Sequence, residues 1–203
     1  MNLLFASLAS IRRRAGRLAA AALLATVPLA AAADDSAVYS DEARKAADQL
    51  IQMIRGELLR AMEASGPLRA MIVCKYSVPE ITSNLSRATG WRVTRVTLKP
   101  RNPALASADA WEQKGLLSFE QRAARGEKPE TLEHAEIVQE PTGRYFRYMR
   151  AITVVPLCLN CHGGDDAVTD ATRLQLQNEY PKDIATGYKL GQVRGAVTVK
   201  RPL

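Results

Sequence analysis

The sequence predicts an α+β fold, and three patterns lead to that prediction. Apolar residues recur at three- and four-residue steps over residues 40–64, which is typical of an amphipathic helix. Residues 91–98 alternate between β-branched or aromatic and polar side chains, which indicates a strand, and a turn composition at 141–143 separates two further strand-like segments. Helices and strands in this order are typical of an α+β domain. The 203 residues, 47% of them hydrophobic, suffice for one such domain.

Residues 1–33 have the organisation of a secretory signal peptide. Four arginines precede an apolar run over Leu18–Leu29, and small alanines follow as far as Ala33. The run is well short of the roughly 20 residues that span a bilayer, so an uncleaved anchor is the weaker alternative. The sequence therefore predicts cleavage near Ala33, export to the periplasm, and a mature domain over 34–203 with no stable membrane span.

Removal of the signal peptide changes the charge of the protein. It takes four arginines and no acid with it, which lowers the formal net charge from +7 to +3. Acidic and basic residues are interspersed in the remainder, so the basic stripe that nucleic-acid binding needs is missing. Nucleic acid is therefore not an expected partner.

The first helix is predicted over residues 40–64 and ends at Gly66 and Pro67. Its apolar positions are Ala43, Ala47, Leu50, Ile51, Ile54, Leu58 and Met62. After a short apolar stretch, Pro79 suits the first turn of a second helix, which Gly90 ends.

The next elements are a strand and a third helix. The strand is predicted over 91–98, because β-branched and aromatic residues there alternate with Arg and Thr, and the prolines and charges of 99–103 break it. Helical spacing returns over 108–125, before a polar turn at 126–129.

The C-terminal half is predicted to contain a β-hairpin, a polar helix and a final strand. The hairpin joins 135–139 to 144–155 through Pro-Thr-Gly at 141–143. The helix covers about 171–179, and the last strand covers 193–199.

Residues 158–162 read Cys-Leu-Asn-Cys-His, the spacing by which haem is attached in c-type cytochromes. In a helix, Cys158 and Cys161 lie three positions apart and His162 lies four from Cys158, so all three side chains share one face. Both thiols can then form thioethers with the porphyrin vinyl groups while the imidazole reaches the iron. Pro156 suits the start of that helix, and Gly163 suits its end beside the ring. The motif predicts one covalent haem c with His162 as an iron ligand.

Two other uses of a CxxC pair fit less well. A redox disulfide does not need the following histidine, and no thioredoxin-like strand-then-helix pattern surrounds the motif. A zinc site needs a fourth ligand, and the sequence has no second CxxC or His pair. Export supports haem, because c-type attachment takes place outside the cytoplasm. The third cysteine, Cys74, is left without a disulfide partner and needs an explanation in an oxidising compartment.

The sixth position of the iron has few candidate ligands in the mature chain. They are Cys74, His134, Met53, Met62, Met71 and Met149. A methionine raises the reduction potential and suits electron transfer, whereas a thiolate lowers it. Methionine and unpaired cysteine often fill apolar cores, and His134 lies among acidic residues near a turn. These residues by themselves leave the sixth ligand open.

Several short motifs follow one another along almost all of the mature chain. They are Ile72–Cys74, Val78–Ile81, Thr94–Pro103, Trp111–Glu112, Pro156–Gly163, Gly187–Gly191 and Arg194–Ala196. In this order they resemble the Tll-like haem domain family, single-haem c-type proteins with a PAS-like fold. The haem motif occurs in all c-type cytochromes, whereas the ordered set of motifs is specific to this family.

The resemblance implies a PAS-like antiparallel sheet with flanking helices behind the long N-terminal helix. It also implies that His162 and Cys74 ligate the iron from opposite sides. Many members have Ser where this chain has Thr97, a difference that keeps the hydroxyl and changes no ligand. Arg101 and Asn102 are candidates to approach the haem propionates, because a guanidinium pairs bidentately with a carboxylate. The alternative is a loop that only turns the chain.

The leading functional hypothesis is a redox or small-ligand sensor, a binding protein and not an enzyme. A thiolate can leave the iron on reduction, or when NO or CO binds, and its segment can then move. The alternative is a periplasmic single-haem electron carrier, which a potential in the His/Met range would favour. A peroxidase would need an open iron position and distal acid and base groups, and it is the weakest hypothesis. Sensor and carrier alike would act through a separate redox or signalling protein.

Overall fold

The computed structural model describes residues 30–203. The predicted signal peptide, residues 1–33, lies almost entirely outside this range. The helices are α1 (Ala30–Ile72), α2 (Val78–Thr89), α3 (Pro103–Ala106), α4 (Ala110–Ala124), α5 (Pro156–His162) and α6 (Asp170–Glu179), with a π-helical turn at Val73–Ser77 and a 3-10 turn at Pro129–Thr131. The strands are β1 (Arg92–Val96), β2 (Glu133–Glu140), β3 (Gly143–Thr153) and β4 (Val193–Pro202). The expected α+β fold with its long N-terminal helix is confirmed.

The four strands form one antiparallel sheet in the order β1-β4-β3-β2. Helices cover both of its faces. Phe146 and Tyr148 of β3 pack with the apolar side of α1, whereas Met149 and Ala151 pack with Leu116 and Phe119 of α4. The alternation of side chains along a strand separates these two sets. The sheet is therefore the middle layer, and α1 lies over the face from which Val93 of β1 also points.

The first helix extends beyond its predicted range of 40–64. Its path breaks at Ser65 and Gly66, where Gly66 adopts a left-handed φ of 70°, and Pro67 begins a new helical segment that runs to Ile72. The break at glycine and proline is confirmed. The short apolar stretch after it is also helical, and it leads through the π-helical turn directly into α2.

Among residues 30–203, no helix combines the length and the apolar character needed to cross a bilayer.

An ion-pair cluster at the start of β2 fastens α1 to the sheet. The Nε and Nη2 atoms of Arg44 donate to the two carboxylate oxygens of Glu133 at 2.9 and 2.8 Å, and the Tyr148 hydroxyl donates to the same carboxylate at 2.6 Å. The bonds from Arg44 hold the pKa of Glu133 below its usual range, against the opposing effect of burial.

We expect Glu133→Gln to lower the free energy of unfolding by about 1–2 kcal/mol at pH 7. Because the folded-state pKa of Glu133 is depressed, its contribution is present above the unfolded pKa and is lost as the pH falls through the folded pKa. The difference between wild type and variant should therefore narrow below about pH 4. Urea titrations at pH 7 and pH 3 measure this difference in the free energy of unfolding. Glu130→Gln, at an exposed position, is the control. Equal differences at the two pH values would contradict the prediction.

Candidate functional site

The CxxCH motif occupies the short helix α5, as the sequence predicts. Pro156 is in the first turn, and the amide of Cys158 donates to the Val155 carbonyl at 2.8 Å. Gly163 ends the helix, and a β-carbon at this position would lie 2.7 Å from both the Leu159 carbonyl oxygen and the Ala167 β-carbon. A glycine is therefore required immediately after the motif.

Cys74 lies in the π-helical turn between α1 and α2, and the fold brings it to the motif. One pocket, with about 370 Å³ of empty space including its open mouth, contains Cys74, Cys161 and His162 in its wall. Its other lining residues are Leu58, Met62, Ala70, Met71, Arg101 and Leu157. Single π-helical turns are rare and frequently mark functional positions. None of these three cysteines, Cys74, Cys158 and Cys161, forms a disulfide within the described residues.

His162 is held in one tautomer. Its Nδ1 lies 2.6 Å from the carbonyl oxygen of Ala185, so Nδ1 carries the proton and donates to that oxygen, and Nε2 keeps its lone pair. Burial, together with Arg194 and Arg101, lowers the pKa of His162 well below its usual range. The imidazole is therefore neutral, which is the form that ligates a metal.

The carboxylate of Asp183 connects this histidine support to Arg101. It accepts from the Ala185 amide at 2.7 Å and from Nε of Arg101 at 2.8 Å. Arg101 also donates to the carbonyl of Cys161, so one guanidinium ties the loop after β1 to α5. Sequence reasoning did not find Ala185 or Asp183, because a backbone carbonyl and a single aspartate carry no motif.

The electrostatics around Cys74 combine burial with positive charge. Burial raises the pKa of its thiol, and the nearby guanidinium groups of Arg95, Arg101 and Arg194 oppose that effect. Burial likewise raises the pKa of Cys161 to about 11. When neither a metal nor a thioether bond engages them, the side chains of Cys74 and Cys161 are therefore neutral thiols.

The structure places the other predicted ligand candidates as follows. His134 is exposed on the outermost strand β2, where its ring stacks on Trp111 with 5.1 Å between the centroids, and it is outside the pocket. Met149 lies under α4, and Met53 is exposed. Met62 and Met71 do line the pocket, beside Cys74.

Asn102 has a structural role. Its side-chain oxygen accepts a hydrogen bond from the Ala104 amide at 3.2 Å and thereby caps α3. This contact is the one expected if the segment is a loop that turns the chain, the second interpretation that the sequence left open for Asn102.

The comparisons with known proteins cover nearly all of the described residues. The family model described as Tll0287-like matches residues 30–202. Among solved structures, the crystal structure of the cyanobacterial haem protein Tll0287 is similar, with a TM-score of 0.61 and 27% sequence identity over 80% of this chain and 93% of that chain. No curated protein matches the chain.

Proposed function

The chain belongs to the Tll0287-like family, and from this premise we propose that it is an exported single-haem c-type protein that senses redox state or a small ligand. In this proposal it is a binding protein and not an enzyme, and the periplasm is its compartment. The observation that carries the proposal is the meeting of Cys74 with Cys161 and His162 in one pocket. The similar haem protein Tll0287 supports haem as the ligand.

The residues of the pocket fit a c-type haem. Cys161, in the pocket wall, and Cys158, three residues earlier on α5, would hold it through thioethers, and His162 and Cys74 would ligate its iron. The hydrogen bond to Ala185 leaves Nε2 of His162 as the free ligand atom. Bound there, the haem iron would supply a one-electron redox couple and, once Cys74 has left it, a position for small diatomic ligands.

The position of Cys74 supports a sensor. Because burial favours the neutral thiol, the sulfur of Cys74 would have two stable states, a metal-bound thiolate and a free thiol. Helical residues on either side of it expose apolar surface. Leu68, Ile72 and Tyr76 are 47, 47 and 63% exposed. A movement of the π-helical turn would therefore reach a surface that a separate signalling protein can contact.

The second candidate function is a periplasmic electron carrier. The two methionines that line the pocket, Met62 and Met71, are the observation that favours it. If either were the sixth ligand, the potential would rise into the range that suits electron transfer.

An electron paramagnetic resonance experiment on the holoprotein distinguishes the two functions. We expect the oxidised wild type to show a low-spin thiolate signal, Cys74→Ala to lose it, and Met62→Leu and Met71→Leu to keep it. A signal that survives in Cys74→Ala and changes in either methionine variant would overturn the ligand assignment and favour the carrier.

A further inference from the structure

Arg101 lines the pocket, and Arg95 and Arg194 lie close enough to Cys74 to oppose the rise of its thiol pKa. The three arginines differ in how their charge is balanced. Arg101 pairs with Asp183 at 2.8 Å, and both side chains are nearly fully buried. In the part of the chain that the structure describes, neither Arg95 nor Arg194 has a carboxylate within ion-pair distance. Two positive charges beside the pocket are therefore left without an anion.

Arg194 lies at a β-bulge of β4, near His162. Ile152 of β3 is opposite Gly195, but the next residue, Thr153, is opposite Val193, so Arg194 is the extra residue of β4. Bulges of this kind re-aim a side chain and occur next to functional sites. Arg194 influences the pKa of His162, and its guanidinium lies 5.2 Å from the ring centroid of Tyr188, which packs edge-on against the His162 ring.

The hydroxyl of Thr97 supports Arg194. It donates to the Arg194 carbonyl at 2.8 Å and accepts from Nη1 of the same residue at 3.0 Å. Nη1 also donates to the Lys99 carbonyl at 3.2 Å. Nε of Arg194, however, is buried and has no hydrogen-bond partner among the described residues. A buried donor without an acceptor is costly, so the chain by itself leaves this guanidinium incompletely paired.

Arg95 belongs to β1 and lies close to Cys74. It lies two residues from the buried Val93, on the sheet face that α1 covers. It also has no hydrogen-bond acceptor among residues 30–203, and burial lowers its pKa while the neighbouring Cys74 raises it.

We propose that Arg95 and Arg194 bind the two propionate carboxylates of the haem, and that Arg101, already paired with Asp183, does not. The proposal rests on the proposed function. Two guanidinium groups without an anion match two carboxylates, and guanidinium–carboxylate pairs are strong when water is excluded. Each pair would satisfy donors that the chain leaves open and would fix the orientation of the ring about its thioether bonds.

The test uses the holoprotein with Arg95→Gln, Arg194→Gln and the corresponding Lys variants. Arg92→Gln, which removes the same charge from an exposed position of β1, is the control. The readouts are the propionate bending bands in the resonance Raman spectrum and the reduction potential. We expect each Gln variant to shift the propionate bands and lower the potential, each Lys variant to shift the bands with a smaller change in potential, and the control to change neither.

Two results would overturn the inference. If Arg95→Gln and Arg194→Gln keep the wild-type bands and potential, the two arginines do not hold the propionates. If Arg101→Gln alone shifts the bands, Arg101 is the anchor. A wild-type protein that carries no covalent haem would instead overturn the proposed function itself, so the two failures are distinguishable.

Discussion

Replacement of both motif cysteines, Cys158→Ala with Cys161→Ala, is expected to abolish covalent haem attachment completely. Each thioether needs its own sulfur, and α5 presents the two sulfurs on one face, next to the imidazole of His162. The measurement is haem staining after denaturing electrophoresis, with the pyridine haemochrome spectrum to count thioether bonds, on protein from a strain that matures c-type haem.

Cys74→Ala is the matched control for this experiment. It removes a sulfur from the same pocket but from the π-helical turn instead of α5, so covalent haem should remain at the wild-type level. Covalent haem in the double variant would show attachment elsewhere. A wild-type protein with a disulfide between Cys158 and Cys161, or with bound zinc, would contradict the haem interpretation of the motif.

Gly195→Ala is expected to lower the free energy of unfolding by about 2–4 kcal/mol. A β-carbon at this position would lie 2.4 Å from the carbonyl oxygen of Val96 and 3.1 Å from the β-carbon of Thr97. Val96 belongs to the β1–β4 ladder, so its carbonyl cannot move away without disturbing the pairing. The same displacement would alter the bulge beside Arg194.

Gly56→Ala provides the comparison for this substitution. Gly56 lies inside α1, and its added β-carbon would meet only the tip of the flexible Arg60 side chain, at 3.5 Å. We expect this variant to be more stable than wild type by about 0.5–1 kcal/mol, because alanine favours the helix. Thermal and urea unfolding measure both changes. Equal stability of Gly195→Ala and wild type would show that the sheet accommodates the methyl group.

The predicted helices, strands and turns agree with the structure where the prediction depended on residues close in sequence. The break at Gly66 and Pro67, the helix over α4, the hairpin and the final strand all depend on residues close in sequence. The helical segment Pro67–Ile72 and the π-helical turn were not predicted, because a stretch of a few apolar residues has no readable period. The alternation in β1 did not show that Arg95 lies on the face that α1 covers, because alternation shows which side chains share a face and not what covers that face.

The sequence by itself determined the α+β fold, the family and the motif of Cys158, Cys161 and His162, since each depends on spacing along the chain. Tertiary structure alone decided which distant groups meet that motif. It placed Cys74 in the same pocket, supplied the Ala185 carbonyl that fixes the tautomer of His162, and put Arg194 at a bulge near that histidine. The physical reason is that these contacts join segments far apart in sequence, and the packing of helices on the twisted sheet brings them together.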